Sequence, residues 1–204
     1  IPRRPRKGPG HVVVDPPGLK IFGEGEWKVR QHGVGKRRTW RKIHLAVDEA
    51  EKDIIGIELT TADWGDSEVF PDLLAQVDGE VAQVSADGAY DTERCHRSIA
   101  ERGAQAAIPP RDGAVRWGDN HPRDATLAVI ADRGRDGWKE DSGYHRRSLA
   151  ENMMFRLKQL GDRLFSRTFE RQVAEAHVRV VILNGFTYLG MPRSVRAGQI
   201  APAA

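Results

Sequence analysis

The chain has 204 residues, of which 39% are hydrophobic and 30% charged, with one cysteine and a formal net charge of +3. That is enough for one core and one main domain. No apolar run nears ~18 residues, no signal-peptide pattern opens the sequence, and one cysteine can form neither an internal disulfide nor a cysteine-built zinc site, so a cytoplasmic, reducing setting is expected. The charge is uneven: residues 1–45 hold 12 Lys/Arg against 3 Asp/Glu, 46–100 hold 3 against 14, and 101–204 hold 17 against 12. This distribution points to a polyanion partner and to carboxylates able to hold metal.

Residues 1–10 carry three prolines and four basic side chains and read as a flexible cationic linker. His11 to Asp15 is a β-branched strand that ends on a carboxylate and is stopped by Pro16-Pro17-Gly18. Leu19 to Gly35 reads as irregular, with a short hairpin near Phe22–Trp27. Lys36, Arg37 and Arg38, followed by Trp40, form a candidate backbone-contact patch. Thr39–Val47 and Ile54–Thr61 alternate as paired strands, with Ile55, Ile57 and Leu59 expected on one face. Asp66-Ser67 is expected to cap a helix running to about Gln76, with Val69, Phe70, Leu73 and Leu74 buried. His44 reads as a packed or solvent-facing histidine.

Glu80–Ala86 reads as a buried strand leading into Asp87-Gly88-Ala89-Tyr90-Asp91. Asp91 is assigned the cap of a helix over Thr92–Arg102, which leaves Asp87 spare. Ala104–Ile108 is a fifth short strand. Residues 111–141 are charged and glycine-rich and are expected to be an irregular insertion with one weak helix at 125–131. Tyr144–Lys158 reads as a helix with two ordered faces. Leu149, Met153, Leu157 and Leu160 form an apolar stripe; Tyr144, Arg147, Glu151 and Lys158 form a polar one. Thr168–Leu189 is a second long helix, with Val173, His177, Val180, Val181 and Leu183 toward the core. Residues 192–204 read as a disordered tail.

The order β-β-β-α-β-α-β-α-α predicts an α/β, RNase H-like fold: a mixed five-stranded sheet, its first three strands antiparallel, flanked by helices over residues 11–191. In that arrangement Asp15, Asp87 and Glu151 converge although 72 and 64 residues separate them. Three convergent carboxylates need cations between them. Hard oxygen donors suit two Mg²⁺ (or Mn²⁺) for phosphodiester chemistry without a protein nucleophile.

These residues carry a resemblance. Val13-Val14-Asp15 with Gly18-Leu19-Lys20, Ser85 to Asp91, and Tyr144-x2-Arg147-x3-Glu151-x6-Lys158 are similar to the catalytic domain of bacterial insertion-sequence DDE transposases of the IS-five/IS-four type. The resemblance implies Asp15, Asp87 and Glu151 as catalytic metal ligands and Tyr144, Arg147 and Lys158 as holders of the DNA backbone. It implies terminal inverted repeats and target DNA as partners, and a homodimer assembled on DNA in the cytoplasm, with no membrane. The chemistry implied is cleavage at element ends followed by attack of the freed 3′-hydroxyl on target DNA. Two departures stand out. Pro16-Pro17 replaces Ser/Thr-type residues, which is expected to move the end of strand one. Only a basic linker precedes the domain, as in a truncated copy. An RNase H-like nuclease without strand transfer and an inactive DNA-binding remnant stay open as alternatives.

Overall fold

Three consecutive valines start the sheet. In the computed structural model, which describes residues 8–16, 18–21, 40–118 and 121–190, strand β1 (Gly10–Asp15) buries Val12, Val13 and Val14 almost completely. Successive side chains point to opposite faces, so Val13 enters one apolar core and Val12 and Val14 the other. A strand buried on both faces needs helices on both sides, and the rest of the chain supplies them. Helices α1 (Asp66–Ala75) and α2 (Glu93–Glu101) cover one face; α4 (Ser148–Gln159) and α5 (Phe169–Leu189) cover the other. Among the described residues no helix is long and apolar enough to cross a membrane.

β3 (Trp40–Asp48) pairs antiparallel with β1 and with β4 (Ile54–Thr61). β5 (Val81–Ser85) lies parallel to β1, and β6 (Gln105–Ala107) parallel to β5. The central order β4-β3-β1-β5-β6, three strands antiparallel and then two parallel through helical crossovers, is the RNase H-like arrangement expected from the element order. Two short strands join it. β2 (Gly18–Ile21) pairs with β3, and β7 (Arg163–Leu164) pairs with β2, so among the described residues the sheet has seven strands where five were expected.

Pro16-Pro17 does not displace the strand. Val12 lies opposite Asp48 and Asp15 opposite Leu45; beyond the prolines, Gly18 lies opposite Lys42 and Lys20 opposite Trp40. The spacing along β3 is unbroken, so the stretch read as irregular from Leu19 begins as a continuation of the same edge. On the far side of β3 the register shifts between Ala46 and Val47, which pair with Gly56 and Ile54. The bulge inserts Ile55 as an extra residue. Ile55 therefore joins the α1–α2 core while Ile57 and Leu59 join the other, against the expected single face.

Other local readings change as well. The N-cap of α1 is Gly65, whose N–H donates to Glu68 Oε2 at 2.8 Å; Asp66 is left to pair with Lys42 at 3.2 Å. Pro71 lacks the N–H that would bond the Ser67 carbonyl, and the Cys95 thiol donates there instead, at 3.7 Å. Thr92, not Asp91, caps α2 by accepting from Cys95 N. The expected insertion contains a 21-residue helix, α3 (Pro122–Ser142), broken at Gly134 (φ 74°, ψ 171°). Tyr144–Arg147 is a 3-10 turn, so α4 begins only at Ser148. α4 buries Ala150, Met153, Met154 and Leu157, with Leu149 and Leu160 only half-buried. α5 buries Ala176, Val180 and Leu183, with Val181 exposed. His44 is packed, bonded to Thr60 Oγ1 at 3.0 Å.

Candidate active site

The site is assembled by strand register. β1 and β5 run parallel with Val13 beside Ser85; two residues on, Asp15 ends β1 and Asp87 lies just past the end of β5, so both acids leave the same end of neighbouring strands. Asp87 also starts a 3-10 turn over Gly88–Tyr90, its Oδ1 accepting from Ala89 N at 2.8 Å. Asp15 is largely buried at this edge.

The third acid arrives from the far side of the chain. The end of α3 is tied to the sheet by Gln83, whose amide donates to the Ser142 carbonyl at 2.9 Å. Beside it, His11 Nε2 and Ser85 Oγ are 2.7 Å apart. Gly143 then takes a left-handed conformation (φ 65°), which glycine tolerates, and turns the chain into Tyr144–Arg147. The Tyr144 ring packs against buried Trp138, with centroids 5.3 Å apart. Arg147 leaves this turn pointing at the acids: it donates to Asp15 Oδ1 at 2.9 Å and to Glu151 Oε1 at 2.6 Å, and lies 5.9 Å from the Tyr144 ring centroid. One guanidinium therefore bridges the strand acid and the helix acid.

The electrostatics agree with this grouping. Burial pushes the Asp15 carboxyl above the usual carboxylate range, Arg147 works against that, and Glu151 and Asp87 add to it. Burial also pushes the Tyr144 hydroxyl up, opposed by Arg147 and assisted by Asp87. All three acids act on Arg147. Lys158 is exposed on α4, about 10 Å along the helix from Glu151. Lys36, Arg37 and Arg38 lie outside the described residues.

Carboxylate oxygens are the donor set a hard divalent ion prefers. Yet among the described residues no three acidic, His or Cys side chains are gathered closely enough to hold a metal. Between Asp15 and Glu151 stands the Arg147 cation. The donors fit a divalent ion in kind, while Arg147 occupies the space between two of them.

Sequence reasoning missed a neighbouring cluster. Asp91, assigned a helix cap, receives two hydrogen bonds from Arg123 at 2.7 Å each, a contact from His96 Nε2 at 3.1 Å and the Arg111 N–H at 3.2 Å. Arg123 also lies over the Trp117 ring, 4.2 Å from its centroid. This clamp seats the start of α3. No local signal pairs residues 91 and 123, because the contact exists only once α3 is placed. Arg146 likewise reaches Glu49, at 3.1 Å.

One solved chain similar to this one belongs to a simian T-cell lymphotropic virus intasome in complex with the PP2A regulatory subunit B56 gamma, with 12% identity and a TM-score of 0.41. The match covers 100% of this chain and 63% of that one, so this chain spans less than two thirds of its length. Residues 6–184, most of the chain, match the transposase DDE domain family, and the chain belongs to that family.

Proposed function

We propose that this chain is the catalytic domain of a DNA transposase that nicks DNA at the ends of an insertion sequence and joins the freed 3′-hydroxyl to target DNA. Asp15, Asp87 and Glu151 are its catalytic carboxylates. The observation that supports this reading is Arg147, which donates to both Asp15 and Glu151, with Asp15 and Asp87 following Val13 and Ser85 on the parallel strands β1 and β5.

In this reading the three carboxylates hold two Mg²⁺, for which Mn²⁺ substitutes. Bound there, the ions supply an activated oxygen nucleophile and stabilisation of the leaving oxygen. The chain's own groups do the rest. Arg147 gives up its two carboxylates and turns to a phosphate; as a planar fork it is suited to bidentate phosphate contact. Tyr144, fixed by Trp138, flanks the same phosphate. Lys158 holds the backbone further along α4, with Lys36, Arg37 and Arg38 as additional contacts. The partners are the terminal inverted repeats and target DNA of the nucleoid, bound by a dimer.

The test is incubation of the purified chain with end-sequence DNA and Mn²⁺. Nicking is expected, and both Asp87→Ala and Glu151→Ala should abolish it while DNA binding persists. Nicking that survives either change sinks these roles. A precleaved end that is never joined to target DNA marks a nuclease without strand transfer.

A further inference from the structure

We propose that the outer face of α5 is a self-association surface whose occupant is the same face of a second copy of this chain. The inner face is fully engaged. Ala176, Val180 and Leu183 are buried against the sheet, and Asn184 bonds both backbone groups of Ile54, its Oδ1 accepting from the N–H at 2.9 Å and its Nδ2 donating to the carbonyl at 2.8 Å. The opposite face is apolar too. Val178, Val181, Ile182, Phe186, Tyr188 and Leu189 are between 41% (Val181) and 78% (Leu189) exposed. At 100° per residue, Val178, Val181, Ile182, Gly185 and Leu189 form one continuous stripe, with Phe186 and Tyr188 on its flanks. A helix that is apolar all round belongs in an interior, and among the described residues this one is covered on one side only.

Three observations select a second copy as the cover. The first is area: the exposed parts of these six side chains present about 700 Å², above the few hundred Å² common on a monomer's largest patch and close to the ~800 Å² each partner gives a standard interface. The second is charge. Glu170, Arg171, Glu175 and Arg179 all lie in the first half of α5, and residues 180–189 carry no charge. Glu175 and Arg179 are bound to each other, Glu175 also accepts from the N–H groups of Phe165 and Ser166, and Arg179 also donates to the Gly161 carbonyl. An uncharged stripe offers nothing for a charged partner to read, and it meets itself across a two-fold axis without like-charge repulsion. The third is shape. Among the described residues nothing lies within 4 Å of where a Cβ on Gly185 would stand, so a second helix can approach closely midway between Ile182 and Leu189.

Light scattering on the chain, with no DNA, should give twice its 22.7 kDa mass. Ile182→Glu combined with Phe186→Glu should halve that value with the far-UV circular dichroism unchanged. A second measurement holds even if that variant fails to fold. Cys95 is buried and is the one native cysteine, so oxidation of Val178→Cys, Ile182→Cys or Gly185→Cys should link two chains in at least one of the three. A 22.7 kDa species at high protein concentration, with none of the three cysteines forming a linked pair, overturns the proposal and leaves this face to another domain or another protein. Neither measurement depends on catalysis, so the result is independent of the nicking assay.

Discussion

Replacing Arg123 by Met tests whether the Asp91 clamp holds the second half of the fold. The Arg123 and Asp91 side chains are 4% and 1% exposed, with paired 2.7 Å contacts, so neither charge has water to fall back on. Removing one partner of such a pair leaves a buried uncompensated charge and costs about 3–5 kcal/mol. Arg123 also donates to the Val115 carbonyl at 2.8 Å, which places the loss toward the upper part of that range. Asp91→Asn should cost a similar amount. The double variant should lose less than the two single losses added together, by about 2–3 kcal/mol, because each single change already breaks the same contact. Urea unfolding at pH 7 measures all four proteins. The acid limb gives an independent readout. Burial alone pushes the Asp91 carboxyl up, but hydrogen bonds from His96 and Arg123 hold it far below the usual carboxylate range. A depressed folded-state pKa contributes stability that is present above the unfolded value near 3.9 and is lost as pH falls through the folded one. The native chain should therefore lose stability below about pH 4 more steeply than Arg123→Met. A loss under ~1 kcal/mol, with an unchanged acid limb, refutes the assignment of Asp91 as an anchor.

Arg147→Gln removes a guanidinium from between two carboxylates, and Mn²⁺ binding followed by electron paramagnetic resonance should tighten about tenfold, near the lower limit for one partly exposed charge; unchanged or weaker binding counts against Arg147 as a competing cation. Burial lowers the His44 pKa to about 4, so the unfolded chain takes up a proton that the folded one refuses. Stability should fall as pH drops from about 6.5 to about 4, by on the order of 3 kcal/mol, and His44→Gln should flatten that slope in urea midpoints taken at pH 7, 5 and 4; a slope unchanged in the variant rejects the reading. Asn184→Ala strips both partners from the Ile54 backbone and should cost about 2–4 kcal/mol in thermal or urea unfolding; a loss near zero means that water replaces the amide.

How much of this was readable depended on whether the cause was local. β1, β3 and β4 follow from β-branched alternation, and the RNase H-like order follows from the sequence of elements. Ile55 was placed on the wrong face because a bulge changes side-chain parity without altering composition. β2 and β7 escaped because strands of four and two residues have no period of their own: β2 exists as a partner of β3, and β7 as a partner of β2. α3 escaped because its pattern is weakly amphipathic and Gly134 interrupts it. What secures it is tertiary: Arg123 on Asp91, Arg135 donating to the Pro110 carbonyl at 3.0 Å, and Trp138 in the core. At Asp66 and Asp91 the side chain looked like a cap, while the residue one position away took that role and each acid went to a cation.

The candidate site was legible to a different depth. Asp15 and Asp87 stand out as acids at or just past strand ends, and the parallel pairing of β1 with β5, which spacing alone does not reveal, brings those two strands side by side up to Val13 and Ser85. The helical wheel put Arg147 and Glu151 on one face, and they do meet. It did not foresee that residues 144–147 form a 3-10 turn aiming Arg147 at Asp15 as well. The rigid Pro16-Pro17 pair, expected to spoil the strand end, leaves the register intact on both sides. The constraint on the site therefore moves from the prolines to the arginine. If the acids take divalent ions as proposed, the Arg147 contacts to Asp15 and Glu151 are the ones that must open, because the guanidinium and a cation compete for the space between these two carboxylates. DNA phosphate offers that guanidinium an equivalent partner, so substrate and metal binding should favour each other through Arg147.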